Sequence, residues 1–376
     1  MTSRAPKFLA NPYLDWAQQE GVPIHVDFGV DMLTAETARW DRLGNGCNGA
    51  FVHLKGSGEW ATVFLYEVPA AGSSAPQQHL FDETFYVLSG HGSMVVEMAD
   101  GSRNSFEWGP RSLFAPPMNA RFRLFNGSGK EPARLASTNN LRILMNIFHN
   151  EDFFFENSTA FPDREGRDGF YAGEGEMTSI RPGRHLWETN FVPDLSSFEL
   201  KPWEERGAGS SNVQFLLGEG CMGAHVSEMP VGRYKKGHRH GAGLHIFSIH
   251  GAGYSLFWYE GDQDFKRVDW RHGMCFAPPE GIFHQHLNTS VQPARYLAVG
   301  LGSKRYPVVY ERRAGSEGAR SDVSIKEGGM QIEYQDQDPR IHPMWLNELK
   351  KSGAKSQMGD IIDESAMAVS AIAEFR

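Results

Sequence analysis

Cysteine is scarce in this chain: Cys47, Cys221 and Cys275 are the three among 376 residues. Far apart, odd in number and without a Cys-x-x-Cys pair, they exclude a disulfide scaffold and a thiolate zinc site, and a reducing, cytoplasmic setting is the simpler expectation. Basic residues are outnumbered, with 37 Lys and Arg against 46 Asp and Glu and a formal net charge of −9. Without surplus positive charge to displace counterions, neither nucleic acid nor an anionic membrane is an expected partner, which leaves a small-molecule substrate. Long apolar runs are missing too. Nothing approaches the roughly 18 residues of a membrane span, and the opening MTSRAPKFLANPYLDW has no apolar core of the signal-peptide kind.

What the chain does have is turn chemistry, with 41 Gly and 20 Pro, in a length that suits two domains plus extensions. The two halves repeat. QQHLFDETFYVLSG (77 to 90) matches HRHGAGLHIFSIHG (238 to 251), placing Gly90 and Gly251 at an offset of 161. WGPRSLFAPP (108 to 117) matches WRHGMCFAPP (270 to 279), and Asn126 matches Asn288, both at an offset of 162. Within each copy the apolar runs are short and rich in Phe, Tyr, Val and Ile, and each ends in Gly, Asp or Asn, which predicts strands joined by tight turns. An antiparallel sheet of such strands must double over to hide its edges, so the predicted class is all-β, a tandem pair of jelly-roll barrels. The predicted boundaries are an N-terminal extension (1–48), a first barrel (49–151), a connector (152–204), a second barrel (205–310) and a C-terminal extension (311–376). Short helices are predicted at PYLDWAQQEG, ending at Gly21, and at DPRIHPMWLNELKKSG, ending at Gly353, with another helix or a tail in the last residues.

Side chains two apart on a strand share a face, so His238 and His240 point the same way, as do His284 and His286. If both strands line one barrel, three or four imidazoles converge. Lys235, Lys236 and Arg239 either guide an anionic substrate to the mouth or form an ordinary solvated surface.

The second copy resembles the cupins at this point. Gly232, His238-x-His240 and Gly251 follow the spacing of the first cupin motif, and Gly273, Pro279-x-Gly281, His284 and Asn288 follow the second. The motif's usual glutamate is replaced by Leu244 or His245. The resemblance implies a bicupin, a tandem of double-stranded β-helix barrels with short helical extensions, in which His238, His240 and His284 hold a divalent metal ion. His245 becomes a fourth ligand if Gly241-Ala242-Gly243 forms a bulge that turns it inward. His286 is then the acid-base candidate beside the metal. In the first copy Gln77, His79 and Phe122 stand at the three ligand positions and Glu83 at the glutamate position, so no tight metal site is expected there. The HRH and HQH pairs are similar to those of gentisate and salicylate dioxygenases. That similarity implies Fe(II), with Mn(II), Ni(II) and Zn(II) as alternatives, and cleavage of a C–C bond in a phenolic or dicarbonyl compound. The alternatives are a redox-inert metal-dependent lyase, isomerase or hydrolase, and a non-enzymatic binding protein. An anionic or aromatic small molecule and assembly into a homo-oligomer complete the expected partners.

Overall fold

The structure, a computed structural model, describes residues 9–241, 243–308 and 321–363. It is mostly strand, arranged as two similar units, each a pair of facing sheets. In the first unit the strands Thr62–Val68, Ala133–Asn139, Glu83–Ser89 and Leu113–Phe114 lie side by side in that order. They are faced by Arg121–Asn126, Gly92–Glu97 and Arg103–Trp108. The second unit repeats the order with Met222–Met229, Ala294–Leu301, His245–His250 and Met274–Phe276, faced by Lys266–Arg271, Ala252–Trp258, Phe283–Asn288 and Gly237–His238. This is the tandem jelly-roll arrangement.

The repeat runs further than the sequence comparison reached. Gly29–Asp31, from the N-terminal segment, pairs with Met274–Phe276 of the second unit, while Phe191–Val192, from the connector, pairs with Leu113–Phe114 of the first. Each unit therefore lends a strand to the other. Arg134 Nη1 donates to the carbonyls of Met32, Leu33 and Ala35 at 3.0–3.2 Å, and Arg295 Nη1 does the same to Leu195, Ser196 and Phe198 at 2.7–3.0 Å. Ala38–Arg39 and Lys201–Pro202 flank matching strands, Asn48–Val52 and Ser211–Leu217. Trp40 and Trp203 follow them.

Asn126 and Asn288, singled out by the repeat, are turn anchors. Asn126 Nδ2 donates to the carbonyls of Val68, Pro69 and Glu131, and Asn288 Nδ2 to those of Met229, Pro230 and Gln292. A buried amide that meets several carbonyls at a chain reversal fixes the turn, so these residues belong to the framework.

Between the units lies one apolar layer in which Val63, Leu65, Tyr86 and Ala136 pack with Val226, Phe247, Ile249, Leu297 and Val299. Inside the first unit the space between its sheets is filled by Phe51, Phe64, Phe85, Phe114, Phe122 and Trp40.

The predicted helices form as Pro12–Gln19, where the Asn11 side chain caps Leu14 N–H, and Ile341–Ser352, which ends at Gly353 with φ +80°. A left-handed residue there suits glycine, which has no Cβ to clash. Two helices not foreseen from the sequence, Leu141–Phe148 and Glu151–Phe155, follow the last strand of the first unit. The stretch from residue 364 onward, where a helix or tail was expected, lies outside the described residues. Among the described residues no helix is long and apolar enough to cross a membrane.

Ile341–Ser352 covers the outer face of the second unit. Trp345 is fully buried, donates its indole N–H to the Asn288 carbonyl at 2.6 Å, and meets Tyr234 edge-on at 4.8 Å. Trp345→Ala is expected to cost about 3–5 kcal/mol, read as a lower denaturant midpoint, because it empties a large packed site.

Candidate metal centre

Alternation along Phe283–Asn288 decides what enters the second unit. Leu287 packs outward under the C-terminal helix, and Gln285 donates to the Lys235 carbonyl and to Gln337. His284 and His286 therefore face inward. His284 pairs in register with His238, and His240 lies beside them: ring centroids are 4.2 Å apart for His238 and His284, 4.7 Å for His240 and His284, and 5.4 Å for His238 and His240. One ring nitrogen from each of the three lies within 4.8 Å of the others.

Their tautomers follow from the backbone. Nδ1 of His238 lies 3.2 Å from the Lys236 carbonyl, Nδ1 of His240 lies 3.0 Å from that of Gly241, and Nδ1 of His284 lies 3.2 Å from that of Ile282. A carbonyl only accepts, so each Nδ1 carries the proton and each Nε2 keeps its lone pair. Burial holds the pKa values of His238 and His284 well below the ordinary range, reinforced by the neighbouring cations. Three neutral imidazoles with lone pairs on Nε2 fit a divalent metal ion.

His286 is wired differently. Its Nδ1 lies 2.7 Å from Ser255 Oγ, which accepts the Trp270 indole N–H at 3.0 Å. The pattern that uses every donor has Ser255 donating to Nδ1, which puts the His286 proton on Nε2. That tautomer offers a proton where the other three offer lone pairs.

His245 does not join them. It begins a strand and pairs with Val299, so it shares a face with Phe247 and points into the layer between the units. Leu244 takes the place at the cavity instead. The register shift in this strand falls later, between Ser248 and His250, and leaves His245 opposite Val299. Strand parity prevails, and His245 is fully buried, with only a weak contact to the Gly243 backbone for its ring nitrogens among the described residues. Burial first, then the charge of Arg142, lowers its pKa to about 3. Nearby His53, bonded to the Tyr13 hydroxyl at 2.8 Å, is lowered to about 4 for the same reasons in the same order.

In the first unit the corresponding bridge joins Gln77 to Phe122. His79 Nε2 meets Glu83 at 2.9 Å, and Glu83 also accepts from Tyr66 at 2.7 Å and from Ser137. The carboxylate is consumed by this internal network, with Phe81, Phe85 and Phe122 packed against His79 and Tyr66 beside it.

The four inward histidines of the second unit line a cavity of about 170 Å³ shared with Arg184, Arg206, Lys235, Tyr296, Asn212 and Gln214. Of the three basic residues weighed from the sequence, Lys235 is 1% exposed and donates to the Tyr296 hydroxyl at 2.9 Å. Lys236 pairs with Glu333 and Arg239 with Glu260 instead. Arg184, from the connector, and Arg206, at the predicted start of the second barrel, were missed. The signal that could have found them is the match of VDMLTAETARW (30–40) to VPDLSSFELKPW (192–203), which extends the repeat through the connector to Trp203.

No protein-family model matches the sequence, and no curated protein matches it. Solved structures match in fold. An oxalate decarboxylase from Lactobacillus farciminis, in a formate complex, superposes with a TM-score of 0.49 at 9% identity over 76% of this chain and 89% of its own. The Bacillus subtilis oxalate decarboxylase, studied for its Mn(II) centres, gives 0.46 at 12% identity over 76% and 79%. A variant of that enzyme gives 0.47 at 11% identity over 83% and 89%.

Proposed function

We propose that the chain is a metal-dependent enzyme of the bicupin type, acting through one divalent ion at His238, His240 and His284 on a small anionic substrate. The observation that carries this reading is a single cavity in which three imidazoles of fixed tautomer stand beside buried cations. Three imidazoles suit Fe(II), Ni(II) and Zn(II), and Mn(II) less well. When bound, such an ion would supply Lewis-acid polarisation of a substrate oxygen.

The chain's own groups do the rest. His286 holds a proton on Nε2 and delivers it, with Ser255 and Trp270 fixing the ring. Lys235 and Tyr296 form a hydrogen-bonded pair in the same wall, and burial keeps competing water out. Redox-inert chemistry (lyase, isomerase or hydrolase) is the favoured class, because the cavity wall is cationic and amide-rich, which suits a compact carboxylic acid better than a phenolic ring. Ring-cleaving dioxygenation at Fe(II) is the second reading, supported by the all-histidine donor set.

The test is to load the purified protein with each metal, supply a panel of small carboxylic acids and phenols, and follow products and oxygen together. Turnover of a carboxylate without oxygen uptake is the expected result. Oxygen uptake in step with loss of a phenolic or dicarbonyl compound would transfer the assignment to the second reading. No turnover or binding of any panel member by metal-loaded protein would count against both.

A further inference from the structure

The cavity holds a feature the metal centre does not use. Trp203 packs under Arg184, whose guanidinium carbon lies 3.9 Å from the ring centroid, with Arg206 at 5.0 Å. Arg206 is 4% exposed, donates Nη2 to Ser321 Oγ at 3.0 Å, and has no partner for Nη1 among the described residues. The indole N–H of Trp203 is buried and likewise without a partner. The acceptor beside Arg184 is a neutral amide, Gln214, whose oxygen takes Nε at 3.1 Å. Asp322, the carboxylate in this wall, is already paired with Arg181. Asp322 faces both guanidinium groups and Glu205 faces Arg184, but among the described residues neither arginine is directly paired with a carboxylate, which is costly for a buried cation, so this cluster needs an explanation. Desolvation lowers Arg184 to about 9 and Arg206 to about 10, with Asp322 offsetting only part of the shift in each.

The first unit shows what is missing. There the matching Trp40 donates its indole N–H to Glu20 at 2.6 Å, and Arg42 grips the same carboxylate with Nε at 3.0 Å and Nη2 at 2.6 Å. Glu20 precedes Gly21, at φ +72°; the matching turn in the connector has Pro182 before Gly183, at φ +73°. One copy bonds a carboxylate to its tryptophan and arginine; in the other, Glu205 and Asp322 stand close by, yet the Trp203 indole N–H and Arg206 Nη1 have no partner among the described residues. We propose that Arg184, Arg206 and the Trp203 indole form a carboxylate subsite, whose acceptor in the first unit is internal and in the second comes with the ligand. A guanidinium fork and an N–H donor beside it match a planar carboxylate.

Combined with the metal reading above, on which this further step rests, the substrate is a dicarboxylate, one end at the histidines and the other at the arginines. The space limits it to a short one, since a cavity of about 150 Å³ takes a molecule the size of benzene.

Calorimetric titrations of the full chain test both levels. In metal-free protein, butyrate should bind, and Arg206→Gln should weaken it at least 10-fold while Arg184→Gln does so to a similar extent. In metal-loaded protein, succinate should bind at least 30-fold more tightly than butyrate, and Arg206→Gln should abolish that preference. Arg206→Met should raise the Tm of ligand-free protein and lose the carboxylate-induced Tm shift, whereas a merely structural arginine would lower Tm on removal. Unchanged butyrate affinity in folded Arg206→Gln and Arg184→Gln would overturn the subsite, as would tighter binding of inorganic phosphate than of any carboxylate. Loss of metal binding with butyrate binding intact would remove the metal reading and leave the subsite standing.

Discussion

Changing His284 to alanine should release the metal, and changing His286 to alanine should not. The two residues are neighbours on one strand, face one cavity and are equally buried, so composition and exposure do not separate them. Hydrogen bonding does. His284 donates a hydrogen bond from Nδ1–H to the Ile282 carbonyl and keeps a lone pair on Nε2, while His286 accepts a hydrogen bond at Nδ1 from the Ser255 hydroxyl and carries its proton on Nε2. Loss of one of three ligands should exceed the roughly 10–100-fold affinity loss typical of an outer hydrogen-bond partner, so metal affinity of His284→Ala should fall at least about 100-fold. His286→Ala should keep metal affinity within a few-fold and lose about 10²–10⁴ in turnover, the usual contribution of a positioned acid or base. Metal titration of both variants reads the first effect. Equal metal loss in the two would refute the tautomer argument.

Acid should loosen the join between the two units first. His245 and His53 sit in or beside the layer between them with pKa values lowered to about 3 and about 4. In the unfolded chain both titrate near 6.5. Above that value both states are neutral and the groups contribute no pH dependence. As pH falls below about 6.5 the unfolded state binds protons that the folded state refuses, so stability drops by about 1.4 kcal/mol per pH unit for each group. At pH 4.5 the pair should have removed about 5 kcal/mol, comparable with the whole stability of many domains. His245→Phe should flatten the slope by one group's share and leave stability at pH 7.5 unchanged or higher, because it removes two buried polar atoms that have only a weak contact. Denaturant titrations from pH 7.5 to 4.5 measure this, and an unaltered slope in His245→Phe would contradict it.

The strand frame was legible in the sequence because the signals behind it are local: short β-rich runs, glycines at the turns, and a repeat whose offset changes by a single residue. The facing of His238, His240, His284 and His286 was legible for the same reason, since two-residue alternation fixes a face. His245 shows where local reasoning failed. A flexible-looking Gly-Ala-Gly invited a bulge that would turn His245 inward, yet pairing from His245 to Ser248 with Tyr296–Val299 sets its parity and sends the imidazole outward. The cationic wall was invisible for another reason. Arg184 lies in what read as a connector, and only tertiary packing of Arg184–Thr189 beside Ser211–Leu217 carries it to the cavity; Arg206 lies in a short turn just ahead of Ser211–Leu217. Lys235 read as surface because a lysine seldom enters a core without a carboxylate.

The central claim is that one unit holds one ion and the other holds none. Metal analysis of the purified protein after equilibration with a divalent ion should give one equivalent per chain, retained in His79→Ala and lost in His238→Ala. Two equivalents, or one that survives His238→Ala and disappears with His79→Ala, would contradict it.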